Sequence, residues 1–233
     1  VDEVGRGCLA GPVVAAAVRC EAAFYHSSWC RRRAPRVDDS KRLSPLQRAA
    51  LVEAFAKPCR EKQLHIAIGS ASVGEIEAHN IHGATVLAMR RALEQLLGDG
   101  GLPLWQAGSL PVLVDGRDLR TLEVPHRGVV GGDRQSLAVA LASIHAKEWR
   151  DAGMRELDRE HPQYGFVRHK GYGTREHLEA LRRHGPCDHH RSRFLRHALT
   201  GPASTEGVQG SLFETVSPHM TVSCPARKGS DSV

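Results

Sequence analysis

Two adjacent acids, Asp2 and Glu3, stand in Val-Asp-Glu-Val directly before Gly5-Arg6-Gly7. A third acid, Asp115, ends the apolar run Val112-Leu113-Val114, and a fourth, Asp133, follows Gly131-Gly132 just ahead of a helical pattern opening at Ser136. Carboxylates on buried strands are costly unless something positive neutralises them. Four of them in one crevice repel one another unless divalent cations are bound. An all-oxygen donor set suits Mg²⁺ or Mn²⁺ rather than zinc. Two such ions roughly 4 Å apart activate a water and stabilise the leaving oxygen in an in-line attack on phosphorus. Taken singly, Asp115-Gly116 is an ordinary turn pair and Asp133 an ordinary helix cap; the specificity lies in the combination. One constraint follows from strand geometry. Successive strand residues face opposite sides, so Asp2 and Glu3 share a site only if the strand bends at Glu3 or Glu3 contributes its backbone carbonyl, and the glycines at 5 and 7 make a bend plausible.

The elements that must position these acids alternate between two periodicities. Residues 12–19 form an apolar Val/Ala run suited to a buried strand, Leu64, Ile66 and Ile68 alternate as in a half-buried one, and residues 111–114 are a third short apolar segment. Between them, Ser44-Pro45 opens a helix to about residue 57. Ser72-Val73-Gly74-Glu75 fits a capping box, and the helix it opens is expected to stop at the glycines of residues 98–101. Residues 136–160 read as one long helix, and Thr174 caps another that ends at Gly185-Pro186. Strands alternating with helices make an α/β domain, in which strand ends and helix starts converge on one crevice. From about residue 200 the chain is rich in Gly, Ser, Pro and Thr, and residues 200–233 are expected to be a disordered tail.

The 233 residues are 41% apolar and 25% charged, the composition of a soluble globular protein. Aromatic residues make up 5%, too few for a large stacking surface. The net charge is +6, and residues 161–200 carry eight Lys/Arg against three acids. Such a concentration attracts a phosphate backbone, so this region is expected to supply phosphate contacts. Half of the fourteen histidines also fall there; they are expected to be solvated or phosphate-facing, with no spacing that defines a metal site. Six scattered cysteines without a CxxC pair fit reduced cytosolic thiols. No apolar run is long enough to span a bilayer. A cytoplasmic monomer without a membrane partner is the expectation.

The motifs together resemble bacterial ribonuclease HII. Val-Asp-Glu-Val-Gly-Arg-Gly, Asp39-Ser40-Lys41-Arg42-Leu43-Ser44, Leu113-Val114-Asp115-Gly116, Gly132-Asp133, Ser143-Ile144-His145-Ala146-Lys147, Arg150-Asp151, Tyr164-Gly165-Phe166 and His169-Lys170-Gly171-Tyr172-Gly173-Thr174 occur in that family's order and at its spacing, over residues 1 to about 194. The resemblance implies a ribonuclease H-like fold: a mixed central β-sheet flanked by α-helices, with a C-terminal helical segment. It implies a catalytic domain over residues 1–199, its 161–199 part binding substrate. It further implies that Asp2, Glu3, Asp115 and Asp133 are catalytic and hold two divalent cations, Mn²⁺ or Mg²⁺. The activity implied is hydrolysis of the RNA strand of RNA–DNA hybrids and incision 5′ of ribonucleotides embedded in duplex DNA, leaving 3′-OH and 5′-phosphate ends. Gly5, Arg6 and Gly7 match the loop that reads the ribose 2′-hydroxyl, Lys41 a lysine near the substrate phosphate, and Tyr172 the tyrosine that reads the RNA–DNA junction. Asp151 and Lys147 are expected to support the site from behind rather than to ligate. The chain departs from the family pattern at His145, where an aliphatic residue is expected, and in the Arg-rich segment 31–36.

Other readings are weaker. Gly5-Arg6-Gly7-Cys8-Leu9-Ala10 fits a loose dinucleotide fingerprint, but the acids would then sit beside a pyrophosphate. A pure hybrid-binding module gains nothing from four carboxylates set against a polyanion, and the Gly-Arg-Gly loop and Tyr172 speak against a DNA-cutting relative. The chain is also expected to be trimmed at its amino end. At most residues 1–4 precede Gly5, whereas a strand commonly needs about five or six residues, so restoring an upstream strand-forming segment is expected to raise both melting temperature and Mg²⁺-dependent activity.

Overall fold

The structure, a computed structural model, describes residues 1–34, 37, 43–106 and 112–200. Lys41 and the 201–233 part of the expected tail lie outside the described residues. The chain opens with β1 (Asp2–Val4) and β2 (Val13–Cys20), then runs through α1 (Ala22–Tyr25), α2 (Ser28–Arg33), α3 (Pro45–Ala54) and α4 (Ala56–Arg60) to β3 (Leu64–Ala71). The long α5 (Val73–Gln106) leads to β4 (Leu113–Asp115), β5 (Arg127–Val129), α6 (Gly132–Gln135) and α7 (Leu137–Glu160). A C-terminal helical unit follows: a 3-10 turn at Pro162–Tyr164, then α8 (Phe166–His169), α9 (Arg175–His184) and α10 (Ser192–Thr200).

The sheet is mixed. β2 pairs antiparallel with β1 and β3, and β4 pairs parallel with β5. Val1 joins the two parts, donating its amino group to the Leu113 carbonyl at 2.7 Å and accepting from the Asp115 N–H at 3.0 Å. The resulting order is β3-β2-β1-β4-β5, which puts β1 in the middle with Asp2 and Glu3 beside the end of β4.

β2 is buried on both faces, and its sequence shows why it can be. Val13, Ala15 and Ala17 enter the cluster formed with Ile76, Ala84, Ala88, Ala92 and Leu93 of α5. Val14 and Ala16 enter the opposite cluster, with Ala142 and Ala146 of α7. A continuous small apolar run is the signature of a strand covered on both sides. The small side chains let helix and sheet approach closely: a Cβ added to Gly69 of β3 would lie 2.0 Å from the Ala88 carbonyl oxygen and 2.5 Å from the Ala92 nitrogen.

Ser72 and Glu75 form the expected capping box, with the Glu75 N–H donating to Ser72 Oγ at 3.3 Å and the Ser72 N–H to Glu75 Oε2 at 2.9 Å. The helix does not stop at Gly98. Its backbone leaves helical geometry there and at Asn80, yet helix resumes each time and reaches Gln106. At Asn80 the side-chain oxygen accepts from the His82 and Gly83 N–H groups, re-capping the next segment. β5 has no counterpart in the sequence reading, because Arg127-Gly128-Val129 is too short to show a period. Among the described residues no helix is long and apolar enough to cross a membrane.

Gly69→Ala is expected to destabilise the fold by about 1–3 kcal/mol, because backbone atoms of α5 must move to admit the methyl. The check is a lower urea midpoint with an unchanged slope.

Candidate active site

The two acids of β1 are held differently. Asp2 is buried, and its Oδ1 accepts the Glu3 N–H at 2.7 Å. Burial, and then the negative charges of Glu3 and Asp115, push its carboxyl up to about 7, although a hydrogen bond with Ser143 and the Glu3 N–H pull the other way. Glu3 Oε1 accepts from Arg6 at 3.0 Å, while Oε2 is buried with no hydrogen-bond partner among the described residues. The expected bend falls later than Glu3. Residues 2–4 pair regularly with β2, and the chain turns at Gly5, whose φ is +90°. A Cβ at Gly5 would lie 2.3 Å from Arg150 Nε, so no other residue fits there without displacing that side chain.

Asp115 ends β4, and its Oδ1 accepts the Gly132 N–H at 2.7 Å. That bond docks the start of α6 against the strand end and places half-buried Asp133, in the first turn of α6, next to it. Gly131 makes the approach in the left-handed conformation, with φ +67°. Ser143 was not singled out by sequence. It is a buried hydroxyl in the apolar half of α7 that reaches Asp2, and a polar residue amid the apolar run of residues 137–146 was the available signal.

The donor set is carboxylate oxygen throughout, with one oxygen unsatisfied among the described residues and one carboxyl driven toward protonation by burial and then by its neighbours' charge. These are the properties of a site whose charge a hard divalent cation would balance.

The loop after β1 is anchored by two buried arginines from distant segments. Arg150 of α7 donates to the carbonyls of Ala10, Pro12 and Lys170 at 3.0, 3.1 and 2.9 Å. Arg191 donates twice to Gly11 O, at 2.9 and 2.7 Å, and to Arg6 O at 2.9 Å. Its burial lowers its pKa to about 10, still far above neutrality.

The ribonuclease HII family profile matches residues 1–198. The chain is 46% identical over 204 residues to ribonuclease HII of Verminephrobacter eiseniae, an alignment covering 88% of each protein. The chain belongs to the ribonuclease HII family. It is thereby a hydrolytic ribonuclease acting on the RNA of RNA–DNA hybrids. The ribonuclease H2 of Pyrococcus horikoshii has the same fold, with a TM-score of 0.62 at 23% identity over 85% of this chain and 94% of that one. So does Bst-RNase HIII in complex with Mn²⁺, with a TM-score of 0.53 at 17% identity over 83% and 62%.

Within this ribonuclease HII scaffold, Tyr172 is partly exposed at the edge of the Gly-Arg-Gly loop. Its phenol stands beside the Cys8 thiol and, mainly through burial, is pushed up to about 12, so it is protonated. The preceding Gly171 accepts the Leu9 N–H at 2.8 Å, and a Cβ on it would lie 2.6 Å from the Ala10 carbonyl oxygen.

Behind Tyr172 stands a relay of buried histidines, where the sequence reading expected solvated ones. His177 Nδ1 meets the Tyr172 carbonyl at 2.9 Å, His177 Nε2 meets His190 Nε2 at 3.0 Å, and the Cys187 N–H donates to His190 Nδ1 at 3.0 Å. Only one assignment satisfies all three contacts. His177 is neutral with its proton on Nδ1, and His190 is neutral with its proton on Nε2, donated to His177. His169 stacks on His177 with ring centroids 4.3 Å apart. Burial lowers both His177 and His190 to about 4.

The basic segment is less free than its composition implies. Arg191 is fully buried, Arg168 and Arg175 pair with Glu176 and Glu179, and Arg193 pairs with Glu77 of α5. Asp151 is 2% exposed, and its two oxygens are taken by Lys147 at 2.6 Å and by Arg48 of α3 at 3.2 Å. Arg48 also donates to the Leu43 carbonyl at 2.7 Å, which ties α7 to the segment that follows Lys41. His145 packs against Phe55, and burial lowers its pKa.

The relay weakens the fold on the acid side, against Asp2, whose raised carboxyl favours the folded state as pH falls through about 7. An unfolded histidine takes its proton near pH 6.5, whereas the folded pair resists until about pH 4. Between those values the unfolded chain binds more protons, so stability is fully present above pH 6.5 and falls as pH drops through the window, on the order of 1 kcal/mol per pH unit per ring. Denaturant unfolding between pH 7 and 4.5 should show this fall, and a His177→Gln/His190→Gln variant should show a shallower one.

Proposed function

We propose that Asp2, Glu3, Asp115 and Asp133 hold two divalent cations, Mg²⁺ or Mn²⁺, and that the chain cuts on the 5′ side of a ribonucleotide, leaving 3′-OH and 5′-phosphate ends. The observation that carries this reading is the placement of Asp2 and Glu3 on β1 beside Asp115 at the end of β4: burial, and then the charges of Glu3 and Asp115, raise the Asp2 pKa, and the buried Glu3 Oε2 lacks a partner among the described residues. The Mn²⁺ bound to the structurally similar RNase HIII supports the choice of metal. Bound there, divalent cations would lower the pKa of a water and stabilise charge on the departing 3′-oxygen.

The chain's own residues do the rest. The Gly132 N–H orients the Asp115 carboxylate, and the Ser143 hydroxyl and Glu3 N–H orient that of Asp2. Gly5, Arg6 and Gly7 read the ribose 2′-hydroxyl through the main chain. Among the described residues a Cβ on Gly7 would meet nothing within 4 Å, so the glycine leaves room for a sugar. Tyr172 stacks on the deoxyribose after the ribonucleotide, and its protonated phenol is a donor at the junction. Lys41, Arg182 and Arg183 contact backbone phosphate. Lys147 and Asp151 act as positioning residues that lock α7 to α3. A cytoplasmic monomer acting on hybrids and on ribonucleotide-containing duplex DNA completes the reading.

Asp115→Asn and Asp133→Asn are each expected to lower Mg²⁺-dependent cleavage of a duplex containing one ribonucleotide by roughly 100-fold or more, the scale of several kcal/mol of transition-state stabilisation. The melting temperature of Asp115→Asn should not fall, because the new amide oxygen can still accept the Gly132 N–H while a charge facing Asp2 is removed. Full activity in either variant removes that acid from the site.

Tyr172→Ala is expected to slow cutting at the junction roughly tenfold or more, the scale of one lost stacking contact, with little change in affinity for a uniform hybrid. An equal loss in both measurements assigns Tyr172 to packing alone.

A further inference from the structure

Glu160 ends α7, His161 caps that helix, and His189 lies in the turn ahead of α10. Each brings one ligand atom to within 4.8 Å of the other two. Among the described residues no other trio of His, Cys, Asp or Glu ligand atoms is as tightly gathered, the four acids of the candidate active site included. The sequence hides this cluster, since His189 stands far along the chain from the other two.

The backbones that carry the two imidazoles are fixed. The His161 N–H donates to Leu157 O at 3.0 Å, and its carbonyl accepts the Tyr164 N–H at 3.2 Å. The His189 carbonyl accepts the Gly11 N–H at 2.9 Å. The rings lie 5.4 Å apart between centroids, inclined at 60°. Among the described residues neither ring is committed to a hydrogen bond and the Glu160 carboxylate to no ion pair, so all three donors are available. Both histidines remain at the surface, reachable by an ion from solvent.

The geometry points to a second metal site, built for a borderline divalent transition ion with Zn²⁺ foremost, separate from the carboxylate site in place and in chemistry. Two imidazole nitrogens and one carboxylate oxygen are a zinc donor set, whereas Mg²⁺ takes oxygen ligands and sheds its water reluctantly. Donors at 2.0–2.2 Å around a tetrahedral ion stand about 3.4 Å apart. Side-chain rotation alone closes the remaining gap, and the exposed Glu160 has the freedom to supply most of it. A fourth position stays open to water. The ion would cross-link the end of α7 to the turn that continues into His190 and Arg191. It would thereby stiffen the segment that grips the Gly-Arg-Gly loop and backs Tyr172, without touching the scissile phosphate. The site is structural and does not depend on the proposed cleavage mechanism.

The test uses the full chain in excess Mg²⁺, which keeps the carboxylate site loaded, titrated with ZnCl₂ by calorimetry and followed by thermal melting. One Zn²⁺ per chain and a rise in melting temperature are expected. His161→Ala or His189→Ala should each weaken binding at least tenfold. Glu160→Gln, at an exposed position where folding is not at stake, should weaken it less. Co²⁺ in place of Zn²⁺ should give visible d–d bands that vanish in the His161→Ala/His189→Ala variant. Equal zinc affinity in the wild type and that double variant overturns the proposal, and so does zinc uptake that Mg²⁺ abolishes.

Discussion

Backbone carbonyls in an irregular buried loop must find donors, and in this molecule two arginines provide them. The chain between β1 and β2 has too little regular structure to satisfy its own carbonyls, yet it carries the Gly-Arg-Gly sequence and must keep its shape. Arg150 reaches it from α7 and Arg191 from the turn before α10, and together they bond the carbonyls of Arg6, Ala10, Gly11 and Pro12. Neither pairs with a described carboxylate. A buried cation is tolerated when its polar atoms find acceptors, and here every guanidinium nitrogen of both arginines donates to a carbonyl. Each carbonyl orphaned by removing one would cost about 1–3 kcal/mol. The loop's conformation therefore depends on residues about 140 and 180 positions away, and the turn before α10 helps to build the candidate site.

The acids impose the opposite requirement. β1 lies mid-sheet, where packing wants apolar residues, and its first position is a buried aspartate. The fold contains the cost locally: a serine and a backbone N–H on Asp2, an arginine on one Glu3 oxygen, a glycine N–H on Asp115. It does not cancel it, since Asp2 is still displaced toward neutral pH. The surrounding scaffold, with Val and Ala packed flat on both faces of β2, is correspondingly dense, and that density holds like charges together against their repulsion.

The histidine relay solves a third problem. Tyr172 projects from a turn rather than from a helix or strand, and such a turn drifts unless its carbonyls are held. A neutral imidazole can accept on one nitrogen while donating on the other, so a row of them passes hydrogen bonds through an apolar unit without burying a charge. His177 and His190 link the Tyr172 carbonyl to the Cys187 turn in this way, with Phe166 and Tyr164 packed around them.

The sequence by itself determined the family and the outline of the sheet, and it singled out four acids and the Gly-Arg-Gly loop as the candidate site. Those features are local: a motif survives as a string, and a doubly buried strand or a capped helix writes its period into a few consecutive residues. Ser72 with Glu75 and Thr174 before α9 were legible for that reason. Tertiary structure alone decided where the strand turns, at Gly5 under the Arg150 side chain rather than at Glu3, and that Ser143 faces Asp2. It also removed Arg191 from the phosphate-facing surface and turned three expected surface histidines into core. An arginine or a histidine reads the same in a string whether water or a carbonyl receives its proton. Which of the two it meets depends on chain segments far apart in sequence, and only folding brings those together.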